Sequence, residues 1–199
     1  MIKGNPEKFA IESIIDKVFP QRSLMALGSF VLHIAGKVYG VRSHNATMLA
    51  CSFDGIKKRI NQRGKHEAFF ANKNAIKIVK QYVSTYYDDI KEIDAHQFTF
   101  NTERFQSTLE SGELVLAPDG DAAFDDGSHV LHFDIGEHVR IIAFKNKGDE
   151  GARLQSISEV TLDAASFYAT LENWAQSFST EWRGRLSSEG LHNARRSEN

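Results

Sequence analysis

The first third of the chain has the hydrophobic pattern of a β-sheet. Residues 9–18 are rich in β-branched and aromatic side chains, which predicts a first strand that Pro20 ends. Residues 27–34 alternate between apolar and polar positions and predict a second strand. The glycine-containing segment 35–37 is typical of a tight turn, and residues 38–41 return from it, so this region predicts a β-hairpin.

Helical periodicity dominates the next part of the chain. Asn45 and Thr47 are candidate caps for a first helix that runs through Met48 to Gly64. Residues 53–55 interrupt the apolar pattern, so a start near Asp54 is the alternative. Residues 74–87 repeat apolar side chains at helical spacing and predict a second helix. A third helix is predicted over residues 102–111.

Strands return in the second half, and the chain ends in a helix. Short strands are predicted at residues 97–100, 113–116, 129–133, 138–144 and 154–162. After Asp163, an apolar face carrying Phe167, Leu171, Trp174 and Phe178 predicts a buried helix face, with Trp182 its most exposed member. Because strands are grouped rather than alternating with helices, we expect an α+β fold. The expected architecture is a largely antiparallel sheet with helices packed on one side and a C-terminal amphipathic helix. One domain is predicted over residues 1–186, with a flexible tail over 187–199.

Composition excludes several classes of protein. The chain has 199 residues, a formal net charge of −2 and a single cysteine, Cys51, so it forms no internal disulfide. It begins without the apolar run of a signal peptide, and no apolar segment approaches the roughly 20 residues that span a bilayer. We therefore expect a cytoplasmic protein that binds neither membrane nor nucleic acid, since nucleic-acid-binding domains are usually basic.

Candidate catalytic and metal-binding residues match no complete motif. His129, His132 and His138 are the best metal candidates, but positions 129 and 132 of one strand point to opposite faces. A small metal-binding domain or enzyme using these histidines stays the alternative function. No nucleophile elbow or P-loop is present, and Cys51 is expected to be a small buried hydrophobe. We predict no enzyme activity, no catalytic residue, no metal and no cofactor.

Charge is distributed unevenly along the sequence. Residues 54–80 carry eight basic and two acidic side chains, a net +6, whereas residues 81–137 carry thirteen acidic and two basic ones, a net −11. Such separation speeds association with a complementary partner if the blocks form patches on the folded surface. The basic block also leaves open a nucleic-acid-binding module, which salt-dependent retention on heparin would reveal.

The N-terminal segment resembles a known family. Met1-Ile2-Lys3-Gly4-Asn5-Pro6 followed by Phe9-Ala10-Ile11 is similar to the start of the immunity protein 42 family of bacterial polymorphic toxin systems. The segments Leu27–Gly36 and Ala46–Leu49 resemble the second strand and the A-T-L step of that family. The sequence departs from the family pattern at Leu27, where asparagine is usual, and it lacks a tryptophan common before that strand.

The resemblance implies an immunity protein that binds the catalytic domain of one cognate secreted toxin in the cytosol and neutralises it by occlusion. It implies no inherited catalytic residue. From the charge pattern, we expect the toxin to contact the acidic region, because many toxins that act on nucleic acid carry a basic cleft. The predicted toxin-binding residues are Asp88, Asp89, Asp119, Asp121, Asp125 and Asp126.

Overall fold

The N-terminal half of the fold is an antiparallel sheet. The computed structural model describes residues 1–87, 100–118 and 122–196, with side chains described up to residue 188. The strands of this N-terminal sheet lie in the order β1-β2-β3-β4, and β5 also pairs with β3. Their bounds are Ile2–Asn5 for β1, Phe9–Val18 for β2, Ala26–Ile34 for β3, Lys37–Tyr39 for β4 and Thr47–Met48 for β5. The predicted hairpin is β3–β4, in which His33 pairs with Val38.

A second antiparallel sheet follows in the chain. This C-terminal sheet has the order β6-β7-β8-β9. Its strands are Val115–Ala117, Ser128–Ile135, His138–Lys145 and Ser158–Asp163. The β7–β8 hairpin keeps an unbroken register from Ser128 opposite Lys145 to Ile135 opposite His138, so alternate side chains of β7 face opposite sides of the sheet.

Five α-helices and a short 3₁₀ helix complete the described part of the chain. The α-helices are Leu49–Asn61 (α1), Ala75–Tyr86 (α2), Thr102–Ser111 (α3), Glu150–Gln155 (α4) and Ala164–Arg196 (α5), and the 3₁₀ helix is Ala122–Phe124. The predicted α+β class, the antiparallel pairing and the C-terminal helix are confirmed. The strands divide into two sheets.

The main core lies between the two sheets and is closed by α1 and α5. Phe30 of β3, Ile141 of β8 and Phe53 of α1 all belong to this cluster. Trp174 of α5 sits at its centre, fully buried, with its ring 5.1 Å from that of Phe30. Its indole N–H donates to the Ser13 hydroxyl at 3.0 Å, which satisfies the polar atom that burial takes from water.

A second core covers the opposite face of the C-terminal sheet. There α2 and α3 pack on β7 and β8, and Phe70, Phe105 and Phe133 form the aromatic centre. Asn74 caps α2 by accepting from the backbone N–H of Ile76 at 3.0 Å. Of the apolar stripe predicted for this helix, Val79 and Val83 pack here, together with Ile78 and Tyr82. Ile76, Tyr86 and Tyr87, which the same spacing placed on the apolar face, are exposed.

Two predicted boundaries, the alternative helix start near Asp54 and the start of the last strand, are wrong. The helix α1 begins at Leu49 and runs through residues 53–55, because Phe53 is buried and the exposed Gly55 meets no neighbour. Residues 154–157 are not strand, because α4 extends to Gln155 and a turn separates it from β9, which begins at Ser158. Asp149 caps α4 by accepting from the Ala152 N–H at 2.8 Å, and this local hydrogen bond prevails over the alternation of side chains. Of the strand predicted at 97–100, all but Phe100 lies outside the described residues.

The N-terminal motif forms a strand and turn that the hydrophobic pattern does not predict. The strand β1 pairs with β2, with Ile2 opposite Glu12. Gly4 has a φ of +100°, and a Cβ there would lie 2.4 Å from the Phe9 carbonyl oxygen. Asn5 then accepts from the Glu7 N–H at 3.0 Å. Only glycine fits both the conformation and the close approach.

Candidate functional site

The described members of the predicted acidic site lie on one turn. Asp125 and Asp126 follow the 3₁₀ helix; Asp125 is exposed and Asp126 is half-buried. Asp126 pairs with the Lys145 ammonium at 2.7 Å and accepts from the Ser128 N–H at 3.1 Å. Burial raises the pKa of Asp126, but hydrogen bonds from Lys145 and Ser128 outweigh it and hold the pKa below its usual value. Asp88, Asp89, Asp119 and Asp121 lie outside the described residues.

A cleft of about 490 Å³ opens between α1 and the segment that joins α3 to β6. We call it the α1–α3 cleft. Its apolar lining is Phe30, Ile56, Leu109, Val115 and Leu116, and its polar lining includes Ser52, Lys58, Arg59, Tyr86, Glu110 and Glu113. An apolar floor with a few polar groups is the usual composition of a binding site. Both glutamates belong to the acidic block of the sequence.

The acids of the α1–α3 cleft have close partners. Glu113 accepts from the Lys58 ammonium at 2.7 Å, and this hydrogen bond lowers the pKa of Glu113. Burial, together with the neighbouring Glu110, raises the pKa of Tyr86. The Tyr86 hydroxyl is therefore protonated near pH 7. Tyr86 is 37% exposed. An exposed tyrosine beside a carboxylate offers a partner both an apolar ring and a hydrogen-bonding group.

A cluster of tyrosines around His129 adjoins this region. The His129 ring stacks on Phe144 with centroids 5.0 Å apart. Its Nδ1 lies 3.3 Å from the Tyr82 hydroxyl and its Nε2 lies 3.1 Å from the Tyr87 hydroxyl. Burial lowers the pKa of His129 to about 4, so the ring is neutral near pH 7.

His132 lies on the other face of the same sheet, as its position in the strand predicts. Its ring is completely buried against Phe167, with centroids 4.8 Å apart. Arg59 donates from Nη1 to His132 Nδ1 at 2.8 Å, which leaves the His132 proton on Nε2. Burial, reinforced by the charge of Arg59, lowers the pKa of His132 to about 3. Burial lowers the pKa of Arg59 to about 10, and the guanidinium stays charged.

Asp134 supplies the negative charge that faces Arg59 across His132. His132 Nε2 lies 3.3 Å from Asp134 Oδ1, although outside hydrogen-bonding geometry. Tyr168 donates to Asp134 Oδ1 at 2.9 Å and the His66 N–H donates to Oδ2 at 3.0 Å. Burial raises the pKa of Asp134, but the neighbouring His132 ring and the donors from His66 and Tyr168 outweigh burial and hold the pKa below its usual value. This polar network joins α1, β7 and α5 inside the protein.

The three histidines considered for a metal do not come together. His129 and His132 face opposite sides of the C-terminal sheet, and His138 is exposed at the β7–β8 turn. Within residues 1–87, 100–118 and 122–196, no three His, Cys, Asp or Glu side chains are placed to hold a metal ion. Cys51, expected to be buried, is exposed on α1.

The basic block of the sequence disperses on folding. Lys58 pairs with Glu113, Lys80 pairs with Glu150 at 2.6 Å, and Arg59 is buried in the polar network. Lys57 and Lys77 are exposed on different helices. No helix in the described part of the chain has the length and apolar character needed to cross a membrane.

Sequence reasoning missed Tyr86 and Tyr87 as surface residues, because they were assigned to the apolar face of α2. Both are partly exposed, at 37% and 40%. The sequence feature that could have predicted their exposure is their position at the end of the helix, directly before the acidic residues Asp88 and Asp89. Half-exposed aromatic side chains beside charged ones are frequent where proteins bind one another.

The molecule is an α+β protein whose described surface carries half-exposed tyrosines beside charged clefts. The chain belongs to the immunity protein 42 family, whose model matches residues 1–177. The fold is also similar to the crystal structure of CdiI from Burkholderia dolosa AUO158, with a TM-score of 0.52 and 14% sequence identity. That match covers 89% of this chain and 99% of the CdiI chain. No curated protein matches the sequence.

Proposed function

We propose that this protein binds one cognate secreted toxin domain in the cytosol of the producing bacterium and neutralises it by occlusion, without catalysis of its own. The observation that carries the proposal is membership of the immunity protein 42 family over residues 1–177. The similarity of fold to CdiI supports the same architecture. An inhibitor that acts by occlusion needs a complementary surface and no reactive group.

The test is rescue from toxicity. The toxin domain encoded beside this gene is expressed in a susceptible bacterium, alone and together with this protein. We expect growth to stop with the toxin domain alone and to recover with the pair. A toxic neighbour that this protein does not neutralise would count against the proposal. Co-purification of the pair then provides the complex for binding measurements.

We further propose that the acidic region is the toxin-contacting surface, including Asp88, Asp89, Asp119, Asp121, Asp125 and Asp126. Support comes from the exposure of Asp125 and from the glutamates that line the nearby α1–α3 cleft. An acidic surface that faces a basic catalytic cleft gains long-range attraction and excludes the natural substrate.

Reversal of Asp121, Asp125 and Asp126 to lysine should weaken toxin binding at least tenfold. Asp126 forms an ion pair with Lys145 and accepts a hydrogen bond from the Ser128 N–H. Replacing Asp126 with lysine therefore also disturbs the turn. The single variant Asp125→Lys separates the two effects, since Asp125 is exposed. Glu67→Lys, an exposed acid outside the region, is the matched control. Unchanged affinity in both the triple and the single variant would exclude this turn as a contact.

A further inference from the structure

A second cleft, of about 620 Å³, runs between α1 and α5. We call it the α1–α5 cleft. Its floor contains Met25, Phe53 and Ile60, and α5 contributes Trp182 at one end. Phe53 and the Trp174–Phe178 stack lie beneath it, so the floor is rigid aromatic core. The polar side chains of Gln176, Ser179 and Thr180 also line the cleft. A preformed cleft between two helices can receive side chains of a partner without rearrangement.

The lining of the α1–α5 cleft is cationic. Arg22, Lys57 and Arg183 line it, and Glu172 is the one acid among the described lining residues. Asp54 neutralises Arg22 at 3.0 Å, while the Arg22 guanidinium lies over the Phe53 ring at 4.9 Å. Arg22 thus lies over an aromatic ring, and arginine beside aromatic side chains is enriched in protein interfaces.

Lys57 and Arg183 differ from the other basic residues of this region. Lys58 and Lys80 have carboxylate partners and Arg59 is buried, whereas the side chains of Lys57 and Arg183 are exposed. Neither makes an ion pair with any residue in the described part of the chain. One of these cations projects from each helix that borders the cleft. Two exposed cations without an ion-pair partner, set beside the apolar side chains of the floor, are complementary to an acidic segment that carries apolar side chains.

We propose that the α1–α5 cleft is a docking site for an acidic segment of the toxin domain, with Lys57 and Arg183 as its charge contacts. The inference rests on the proposed function, and it adds a second contact surface of opposite charge to the acidic region. Nucleic acid is the less suitable occupant, because the chain as a whole has a net charge of −2. A partner that meets both surfaces is fixed in orientation as well as attracted.

The experiment measures the affinity of the cognate toxin domain for the wild type and four double variants of the full chain at 50 and 300 mM NaCl. Lys57→Glu/Arg183→Glu should weaken binding at least tenfold at the lower salt and reduce the dependence of affinity on salt. Lys77→Glu/Lys147→Glu makes the same change in net charge at exposed positions elsewhere and should stay within twofold of the wild type. Lys57→Arg/Arg183→Lys should also keep the affinity.

Two results would overturn the inference: affinity unchanged in the Lys57/Arg183 reversal, or an equal loss in the Lys77/Lys147 control, which would show a general effect of net charge. The neutral variant Lys57→Ala/Arg183→Ala should lose less affinity than the charge reversal. Such a graded loss follows the charge at these positions, whereas misfolding would not. If the wild type neither binds nor neutralises the toxin domain, the proposed function fails and this inference fails with it. If the wild type binds and the reversal has no effect, only the cleft assignment fails.

Discussion

Asp134 illustrates how a buried charge is stabilised by residues distant in the sequence. Its carboxylate accepts from the Tyr168 hydroxyl and the His66 N–H, and Arg59 compensates its charge across His132. A buried carboxylate without such donors would take up a proton or destabilise the fold. The network therefore contributes to stability and to the positions of α1 and α5 relative to β7.

Tyr168→Phe should lower the free energy of unfolding by about 1.5–3 kcal/mol, the usual contribution of a hydrogen bond to a charged group. The ring of Tyr168 is retained, so its packing is little changed. Urea unfolding at pH 7 measures the loss. Tyr86→Phe, on the surface, is the control and should change the free energy by less than about 0.5 kcal/mol. Equal losses in the two variants would show that the Asp134 hydrogen bond contributes nothing specific.

The sequence could not reveal this network. His132 was a metal candidate because histidines recur nearby, yet its partner Arg59 lies 73 residues away and was counted in a surface basic block. The strand periodicity predicted that His129 and His132 face opposite sides of the sheet, and the structure confirms this prediction. Alternation fixes the face of a residue, whereas its partner on that face depends on long-range packing.

At the scale of elements, α5 joins the N-terminal sheet to the edge of the C-terminal sheet. Phe167, Leu171, Trp174 and Phe178 are fully buried, as the helical spacing predicts, and Trp182 is the most exposed of the set. Near its end α5 contacts the N-terminal sheet through Trp182, whose N–H donates to the Phe19 carbonyl, and Arg185, which donates to the Ile15 carbonyl at 2.8 Å. The next residue, Leu186, still packs against the main core.

Deletion of residues 187–199 should therefore change the free energy of unfolding by less than about 0.5 kcal/mol, because the removed segment begins beyond these contacts. Trp182→Ala in the full chain is the comparison and should cost about 1.5–3 kcal/mol from lost burial and a lost hydrogen bond. Thermal and urea unfolding measure both. A loss above 1 kcal/mol on truncation would show that the tail is part of the domain rather than a flexible extension.

Elements with strong local signals were predicted best. The helix α3 has the predicted bounds, 102–111, because Asn101 caps it and the apolar spacing is regular. The strand β1 was missed because its four residues have no apolar alternation and are fixed by pairing with β2. Short elements of this kind are determined by tertiary contacts more than by their own residues.

At the scale of the whole molecule, the C-terminal sheet carries a neutral histidine on each face. His129 lies in the core formed with α2, and His132 lies beside α5 in the main core. Burial lowers both pKa values, to about 4 and about 3. In the unfolded chain both histidines bind a proton near pH 6.5. Between about pH 6.5 and pH 4 the unfolded chain therefore binds more protons than the folded chain.

The free energy of unfolding should consequently fall as the pH decreases from 7.5 to 5, with the decline starting near pH 6.5. Each buried histidine contributes up to about 1.4 kcal/mol per pH unit in this window. Carboxylates with lowered pKa values add to the loss only at lower pH, so the window isolates the histidines. Urea unfolding at half-unit pH steps gives the slope. Burial also lowers the pKa of His66, so three histidines contribute to the slope in this window. His129→Gln, which does not titrate, should therefore reduce the slope by roughly a third to a half, and His138→Gln at the exposed turn should leave it unchanged. An identical slope in the wild type and His129→Gln would mean that folding does not lower the pKa of His129. The burial of His129 among Tyr82, Tyr87 and Phe144 would then be contradicted.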